Sequence, residues 1–281
     1  MVDGPLVSVI IPSYNSAQYL KEAIESCLDQ TYENIEIIVI DDGSTDDTAI
    51  LVKHYGNNIT YVYQKNSGLA SARNTGIKRA KGDYVQFLDA DDIILKEKIE
   101  FQVNYLEEHK DNDVVYCDVR YFENNDKKEL IDLQLQHHTG HILGKLLLEN
   151  FIPLNVLLFS RKCIEKIGVF KGDGSYLYGV EDWEYLIRIA YNGFLFGYID
   201  EVLALCRKHS DSMSANILRM KKGGLDVMKE VRKFITDEEQ KRQLNLNKYF
   251  RWRYSDYGDC LLKERKYCKG FLYKIKSYFY F

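Results

Sequence analysis

The feature that most restricts the fold of this chain is a regular alternation of short apolar runs with amphipathic segments over residues 7–117. The apolar runs are typical of parallel strands covered by helices on both faces, and they lie at residues 6–11, 35–40, 59–63 and 84–88. Between the runs, apolar residues recur at helical spacing, as at Leu20, Ile24 and Cys27. This alternation predicts a doubly wound α/β fold, with a mostly parallel sheet flanked by helices.

Polar side chains follow three of the predicted strands, at the points where the strands end. They are Tyr14, Asn15, Asp41, Asp42 and the run Asp89–Asp92. Ligands of open α/β sheets bind at the carboxyl ends of the strands. We therefore expect these side chains to meet on one rim of the sheet.

The run after the fourth strand, Asp89-Ala90-Asp91-Asp92, places three carboxylates within four residues. Like charges this close repel one another, and they persist only where a cation or hydrogen-bond donors compensate them. Carboxylate oxygens are ligands of Mg²⁺ and Mn²⁺, which often take one or two protein ligands and add substrate phosphates. A divalent metal site is one interpretation of the run. A solvated acidic turn that begins the next helix is the other.

A second acidic pair opens a later helix, which is predicted to start near Gly179. Glu181 and Asp182 stand in its first turn and Trp183 follows them. Acidic residues in a first turn interact favourably with the helix dipole, so capping alone would explain the pair. The pattern leaves capping and catalysis both open.

The segments around this helix carry weaker signals. Two further strands are predicted at 194–199 and 202–206, and the polar segment RKHSDSMS occupies 207–214. The three histidines of residues 137–141 match no familiar zinc spacing, so we interpret that segment as a polar loop.

Composition narrows the class of protein. With 281 residues, 46% hydrophobic and 28% charged, the chain is long enough for one large domain with a smaller appendage. A net charge of −4 argues against a nucleic-acid partner. Six scattered cysteines without a Cys-x-x-Cys pair favour buried free thiols over disulfides or zinc ligands. Neither a signal peptide nor an apolar run of ~20 residues is visible, which favours a cytoplasmic location.

The last part of the chain differs from the rest, and we place a boundary between a domain at 1–215 and a helical extension at 216–281. Residues 241–281 contain eleven Lys or Arg against three Asp or Glu, together with twelve aromatic residues. The extension either packs its aromatic residues on the sheet domain or makes peripheral contact with anionic lipid at the inner face of the plasma membrane.

Six segments then carry a resemblance to a known family. They are VSVIIPSYN at 7–15, VIDDGSTDDT at 39–48, NSGLASARNTGI at 66–77, FLDADD at 87–92, EDW at 181–183 and RKHSDSMS at 207–214. In this order they resemble the family 2 glycosyltransferases of the GT-A fold, of the bacterial surface-polysaccharide type, over most of the chain. The resemblance implies an inverting enzyme that moves a sugar from a nucleoside diphosphate sugar, a UDP-sugar in our interpretation. The acceptor would be a hydroxyl of a saccharide or a lipid-linked saccharide.

The resemblance also implies roles for the donor-binding residues. Pro12 and Tyr14 would form walls for the base, and Asp42 would accept a hydrogen bond from the base N3–H, which uracil or thymine offers. Arg73 would donate charge-assisted hydrogen bonds to the diphosphate.

The remaining implied roles concern the metal and the chemistry. Asp91 would ligate Mn²⁺ or Mg²⁺, Asp89 would contact the ribose or the metal, and His209 would lie near the metal or the diphosphate. Asp182 matches the catalytic base, which takes the proton of the acceptor hydroxyl. Trp183 would either stack on a sugar or pack within its helix.

Other functions remain to be weighed against this one. A dinucleotide-dependent dehydrogenase is disfavoured because PSYNSA follows the first strand where G-x-G-x-x-G would be required. A sugar nucleotidyltransferase would share the sheet and the metal but release pyrophosphate. A non-catalytic GT-A-like domain that binds a sugar nucleotide is the alternative outside enzymes.

Overall fold

The computed structural model describes residues 4–123, 126–132, 137–172, 177, 179–209, 212–213 and 216–278. Three residues of the 207–214 segment, at 210, 211 and 214, lie outside the described residues, as do the last three residues of the aromatic extension, 279–281.

The described strands form one sheet. They are β1 (Val7–Ser13), β2 (Ile35–Asp41), β3 (Thr60–Tyr63), β4 (Tyr84–Phe87), β5 (Ile93–Ile94), β6 (Val114–Glu123), β7 (Asp126–Asp132), β8 (Leu157–Ser160) and β9 (Phe196–Lys208). Their order is β3-β2-β1-β4-β8-β6-β9-β5, and β7 pairs with β6.

The first half of the sheet is parallel, as the sequence predicts. β1 is buried along its whole length and pairs in parallel with both β2 and β4. In this register Ser13 lies beside Asp41, and Ile10 lies beside Phe87. The carboxyl ends of the three strands therefore meet at one edge, and the polar segments that follow them leave the sheet there.

The second half of the sheet differs in detail from the prediction. β8 runs antiparallel between β4 and β6. The two strands predicted at 194–199 and 202–206 are one strand, β9, whose pairing with β6 shifts register near Asp118. Asp200 and Glu201 are exposed and interrupt the apolar pattern, which is why the sequence predicted two strands. A bulge at these two residues lets β9 continue as one strand.

Eleven α-helices are described around the sheet. They are α1 (Ala17–Leu28), α2 (Thr48–Lys53), α3 (Leu69–Arg79), α4 (Lys98–Glu108), α5 (Leu143–Leu148), α6 (Arg161–Ile167), α7 (Glu181–Tyr191), α8 (Ile217–Phe234), α9 (Glu238–Gln243), α10 (Leu246–Lys263) and α11 (Tyr267–Tyr278).

The helices cover both faces of the sheet. Val9 and Ile11 of β1 lie in one hydrophobic cluster with residues of α1 and α4. Ile10, which points to the opposite face, lies in the other cluster with residues of α3 and α7. A Cβ at Gly76 of α3 would approach Ile10 Cγ2 to 2.3 Å, so only glycine allows this helix to lie so close to β1. The flanked, doubly wound sheet is thereby confirmed.

The C-terminal helices pack on the sheet domain in layers. Val227, Met228 and Val231 of α8 are buried in the same cluster as α7, and Phe250 of α10 joins them. Trp252 and most of the outer face of α11 are exposed. The boundary at residue 215 stays a prediction. Among the helices that the structure describes, none is both long enough and apolar enough to cross a membrane.

Candidate active site

One cavity of about 930 Å³ opens where β1, β2 and β4 end. Eight of the nine residues singled out from the sequence line it: Pro12, Tyr14, Asp42, Arg73, Asp89, Asp91, Asp182 and His209. Six of these lie at or just after the ends of four strands, β1, β2, β4 and β9, and the other two lie on α3 and α7, so the fold brings together residues that are far apart in the chain. The volume lies within the range typical of small-molecule sites.

The three carboxylates of the acidic run have different surroundings. Asp89 Oδ1 lies 2.8 Å from Arg73 Nη2, and Asp91 Oδ2 lies 3.0 Å from His209 Nε2. Asp92 is buried and accepts hydrogen bonds from Asn155 Nδ2 and from the Arg207 backbone N–H, both at 2.9 Å. Asp89 and Asp91 therefore face the cavity, while Asp92 fastens the loop to β9.

The electrostatics of the acidic run favour a bound cation. Burial and the neighbouring Asp89 carboxylate raise the pKa of Asp91, against the opposing effect of His209. Burial and both neighbouring carboxylates raise the pKa of Asp92 well above its usual value. Negative charge is thus in excess here, and a divalent cation would relieve it.

The residues present fit part of a metal coordination shell. Asp91 and His209 offer an oxygen and a nitrogen side by side, and His209 Nδ1 has no hydrogen-bond partner among the described residues. Within those residues, no group of three or more His, Cys, Asp or Glu side chains is arranged to hold a metal. The donor set therefore fits a cation that takes its remaining ligands from substrate phosphates and water, as Mg²⁺ commonly does.

Arg73 is buried in the cavity floor and holds two acidic segments together. Its Nη1 donates to Glu181 Oε1 at 2.7 Å and its Nη2 to Asp89 Oδ1 at 2.8 Å. Although burial opposes the charge, the carboxylates of Asp89 and Glu181 raise the pKa of Arg73. Both terminal nitrogens thus already contact carboxylates, and the predicted contact of Arg73 with a diphosphate stays a prediction.

Glu181 is a site residue to which the sequence analysis assigned no role. It is buried, accepts from the Gly179 backbone N–H at 2.7 Å, and pairs with Arg73. Its position beside Asp182 was visible, but capping explained it equally well. Only the contact with a residue 108 positions earlier distinguishes the two explanations.

Asp182 lies in the first turn of α7 and is half-buried at the cavity wall. Its Oδ1 accepts from the Trp183 backbone N–H at 2.6 Å, and its Oδ2 accepts from Asn150 Nδ2 at 3.2 Å. Burial and the adjacent Glu181 raise the pKa of Asp182 to about 7, against the opposing effects of Arg73 and these hydrogen bonds. A carboxyl group that titrates near neutrality is suited to proton transfer.

Trp183 does not line the cavity, and its predicted stacking on a sugar is not what the structure shows. The residue is 4% exposed, and its Nε1 donates to the Leu146 carbonyl at 2.6 Å. The Arg253 guanidinium lies 4.3 Å from the centre of the indole ring. The other interpretation, packing within the protein, agrees with the structure, because the Trp183 side chain points from α7 into the hydrophobic core.

The opposite end of the cavity is built by the loops after β1 and β2. Asp42 Oδ1 accepts from Gln64 Nε2 at 2.6 Å and from the Ser67 N–H at 2.9 Å, while Oδ2 accepts from the Gly68 N–H at 2.8 Å. Three of about four acceptor positions of the carboxylate are used, so one is left for a ligand. Tyr14 stands at the rim with half of its surface exposed.

Arg207 is a second residue to which the sequence analysis gave no role. Its guanidinium lies between the rings of Tyr19 and Phe122, 4.8 and 4.5 Å from their centres. Its Nε donates to the Asp91 carbonyl at 3.0 Å, and its Nη2 pairs with Glu22. Arg207 therefore fixes the backbone of the acidic run beside His209.

The sequence was compared with protein-family models and with known proteins. The model of glycosyl transferase family 2 matches residues 8–168, which is more than half of the chain. An uncharacterised glycosyltransferase of Rickettsia prowazekii is 36% identical over 249 residues, or 84% of this chain and 74% of that protein. The minor teichoic acid biosynthesis protein GgaB of Bacillus subtilis is 44% identical over 123 residues, or 41% of this chain and 14% of GgaB.

Solved structures show the same fold. S. aureus TarS, residues 1–349 in complex with UDP-GlcNAc, matches with a TM-score of 0.73 at 19% identity, over 97% of this chain and 79% of that one. The mannosyltransferase PcManGT of Pyrobaculum calidifontis, in complex with GDP-Man and Mn²⁺, matches with a TM-score of 0.63 at 19% identity, over 94% and 76%. The fold is thus GT-A-like, as the sequence predicts. The chain is a glycosyltransferase and belongs to glycosyl transferase family 2.

Proposed function

We propose that this glycosyltransferase is an inverting, metal-assisted enzyme that uses a UDP-sugar and glycosylates a hydroxyl of a saccharide or lipid-linked saccharide. The observation that carries the proposal is the position of Asp182. A carboxyl group with a pKa near 7 lines the same cavity as the acidic run at Asp89 and Asp91. One cavity thus brings together a carboxyl group suited to proton transfer and carboxylates suited to a cation, which supports the proposal.

The donor would lie along the rim from β2 to β4. Pro12 and Tyr14 would enclose the base, and the remaining acceptor position of Asp42 would receive N3–H of uracil. The UDP-GlcNAc complex of TarS supports a UDP-sugar, while the GDP-Man complex of PcManGT leaves the base to be tested. Arg73 would add positive charge below the diphosphate, while its contacts with Asp89 and Glu181 keep it in place.

Asp91 and His209, with Asp89 beside them, would hold Mn²⁺ or Mg²⁺. When bound, the cation would neutralise the negative charge that develops on the leaving diphosphate. The Mn²⁺ in the PcManGT complex supports this assignment. Arg207 and Asp92 would keep the backbone of the acidic run in position, because both fasten it to β9.

Asp182 would accept the proton of the acceptor hydroxyl as its oxygen forms a bond to the anomeric carbon. The bond from that carbon to the diphosphate oxygen breaks, and the nucleoside diphosphate leaves with the electron pair. Attack from the face opposite the leaving group inverts the anomeric centre, and only one carboxylate base is needed. Asn150 and the Trp183 N–H orient the carboxyl group through their hydrogen bonds.

The acceptor would enter beside Asp182, where Asn150, Phe151, Met213 and Met220 line the cavity. A mixed polar and apolar wall suits a sugar, which presents hydroxyls at its edges and C–H groups on its faces. The similarity to GgaB, which is named for teichoic acid biosynthesis, supports an acceptor of the bacterial surface-polysaccharide type.

The test is the Asp182→Asn variant, assayed for nucleoside diphosphate release from a panel of UDP- and GDP-sugars with Mn²⁺ or Mg²⁺. We expect kcat to fall by about 10²–10⁴, as for other positioned bases, while the Kd for the donor stays within about twofold. A turnover rate near that of the wild type would place the base elsewhere.

The matched control is Asp113→Asn. Asp113 precedes the amino end of β6, pairs with Lys162 and does not line the cavity, so its variant should keep full activity. The chemical identity of the released product is a separate readout. Pyrophosphate in place of a nucleoside diphosphate would support the nucleotidyltransferase alternative.

A further inference from the structure

The helix α11 presents an apolar face to the outside of the molecule. Its exposed large side chains, which we call the apolar stripe, are Tyr267, Phe271, Leu272, Ile275 and Tyr278. Phe271 is 59% and Tyr278 71% exposed. Residues three, four and seven positions apart share one side of a helix, so the stripe is continuous along three turns.

The inner face of α11 is fixed against α10, and this contact determines where the apolar stripe points. A Cβ at Gly270 would approach Leu262 to 2.7 Å, and one at Gly258 would lie 3.1 Å from the Gly270 carbonyl. Lys274 Nζ donates to Asp259 at 3.0 Å from the edge of the contact. The two glycines bring the helices close together, so α11 does not roll its apolar stripe inward.

Basic residues border the apolar stripe. Residues 263–278 contain six Lys or Arg and one acidic residue, Glu264. Lys269 and Lys276 are exposed on the side of the helix next to Leu272, and Lys276 Nζ lies 5.3 Å from the Tyr273 ring. Long basic side chains beside an apolar face can reach outward while their carbon chains cover apolar surface. This combination is typical of helices that lie in a lipid headgroup layer.

We propose that α11 is a membrane-binding helix for anionic lipid. Its apolar stripe would lie at the boundary between the lipid headgroups and the acyl chains, and its lysines would lie at the lipid phosphates. Charge selects this occupant, because a face-to-face contact between two copies would bring the basic residues of both chains together. A purely polyanionic partner would leave the apolar stripe unused.

The location of α11 also relates the membrane to the cavity. α10 carries α11 on one side, and on its other side Arg253 lies over Trp183, the neighbour of Asp182. Only one helix thus separates the membrane-binding helix from the catalytic helix α7. If the proposed function holds, a lipid-linked acceptor would lie within reach of the cavity while the chain stays on the surface.

The experiment is co-sedimentation of the full chain with vesicles of phosphatidylcholine, with and without phosphatidylglycerol, at low salt and at about 0.5 M salt. We expect binding to the anionic vesicles only, with release at high salt. The pair Lys269→Gln and Lys276→Gln should weaken partitioning by about 25-fold, since each basic residue near an anionic surface contributes roughly fivefold. The pair Phe271→Ser and Ile275→Ser should lose at least about 10-fold through the apolar contact.

The matched control is Ile50→Ser, since Ile50 is equally exposed on α2 and should leave binding unchanged. A fluorophore on the exposed Cys268, within α11, should shift to the blue with anionic vesicles, and the Cys268→Ser protein should not report this shift. Donor turnover without vesicles should be the same in all these variants, so loss of membrane binding is separable from loss of catalysis.

Two outcomes would overturn the proposal. One is a folded wild-type chain that does not sediment with anionic vesicles at low salt. The other is binding that both α11 double variants retain. Concentration-dependent dimers that the Phe271→Ser and Ile275→Ser pair abolishes, without lipid binding, would assign the apolar stripe to a second copy of the chain.

Discussion

Asp182→Asn should stabilise the folded protein at alkaline pH while it removes activity. The pKa of Asp182 is raised from 3.8 to about 7, chiefly by burial and by Glu181. A group whose folded pKa lies above its unfolded value favours the folded state only while it is protonated. The wild type therefore loses stability as the pH rises from about 4 to about 7, and asparagine, which resembles the protonated form, does not.

The size of the effect follows from the same numbers. A shift of about 3 pKa units corresponds to about 4 kcal/mol at about 1.4 kcal/mol per unit. Asparagine keeps one acceptor oxygen for the Trp183 N–H but loses the one facing Asn150, at a cost of about 1 kcal/mol. The cavity is open to water, which weakens the charge effect, so the net gain should be about 2 kcal/mol above pH 7.

The assay is thermal or urea unfolding of both proteins at pH 5 and at pH 8. A gain of about 2 kcal/mol should raise the Tm by about 5 °C at pH 8, with a smaller difference at pH 5. The control is Asp46→Asn. There, burial is outweighed by hydrogen bonds from Thr48 and Ala17, which lower the pKa of Asp46, so its loss should destabilise the protein. An Asp182→Asn protein that is less stable than the wild type at pH 8 would refute the reasoning.

Three further predictions concern the site. Glu181→Gln should move the acidic limb of the kcat profile to lower pH, because the Glu181 carboxylate raises the pKa of Asp182; an unchanged limb would assign it to another group. Donor turnover should require a divalent cation and be lost in Asp91→Ala, and full wild-type activity in excess chelator would contradict a metal role. Trp183→Phe should leave the KM for the nucleotide-sugar unchanged. It should cost about 1–3 kcal/mol of stability, since the Leu146 carbonyl loses its hydrogen bond from Trp183 Nε1. A raised KM would indicate that Trp183 contacts the substrate.

Local sequence patterns predict the first strands of the sheet and the edge at which they end. The buried runs of β1, β2 and β4 have the continuous apolar character that parallel strands require, and their order follows from the helices between them. Since parallel strands end at the same edge, the sequence also placed Tyr14, Asp42 and Asp89 around one cavity. A serine before a helix is a common cap, and Ser160 caps α6 by accepting from the Cys163 N–H at 3.1 Å. Ser16 stands at the same position before α1 but donates instead to the Tyr14 carbonyl.

Tertiary structure decided which partner each polar side chain meets. Lysine is almost never fully buried in proteins, yet Lys98 at the start of α4 is fully buried, donates to Gln102 at 2.6 Å and also contacts Gln86. Burial lowers the pKa of Lys98 to about 8. Arg73 and Glu181 likewise pair across 108 residues. Periodicity shows which face of one element is apolar, because burial of that face is a local requirement. The partner of a buried charge depends on how distant elements pack, and no local pattern encodes that.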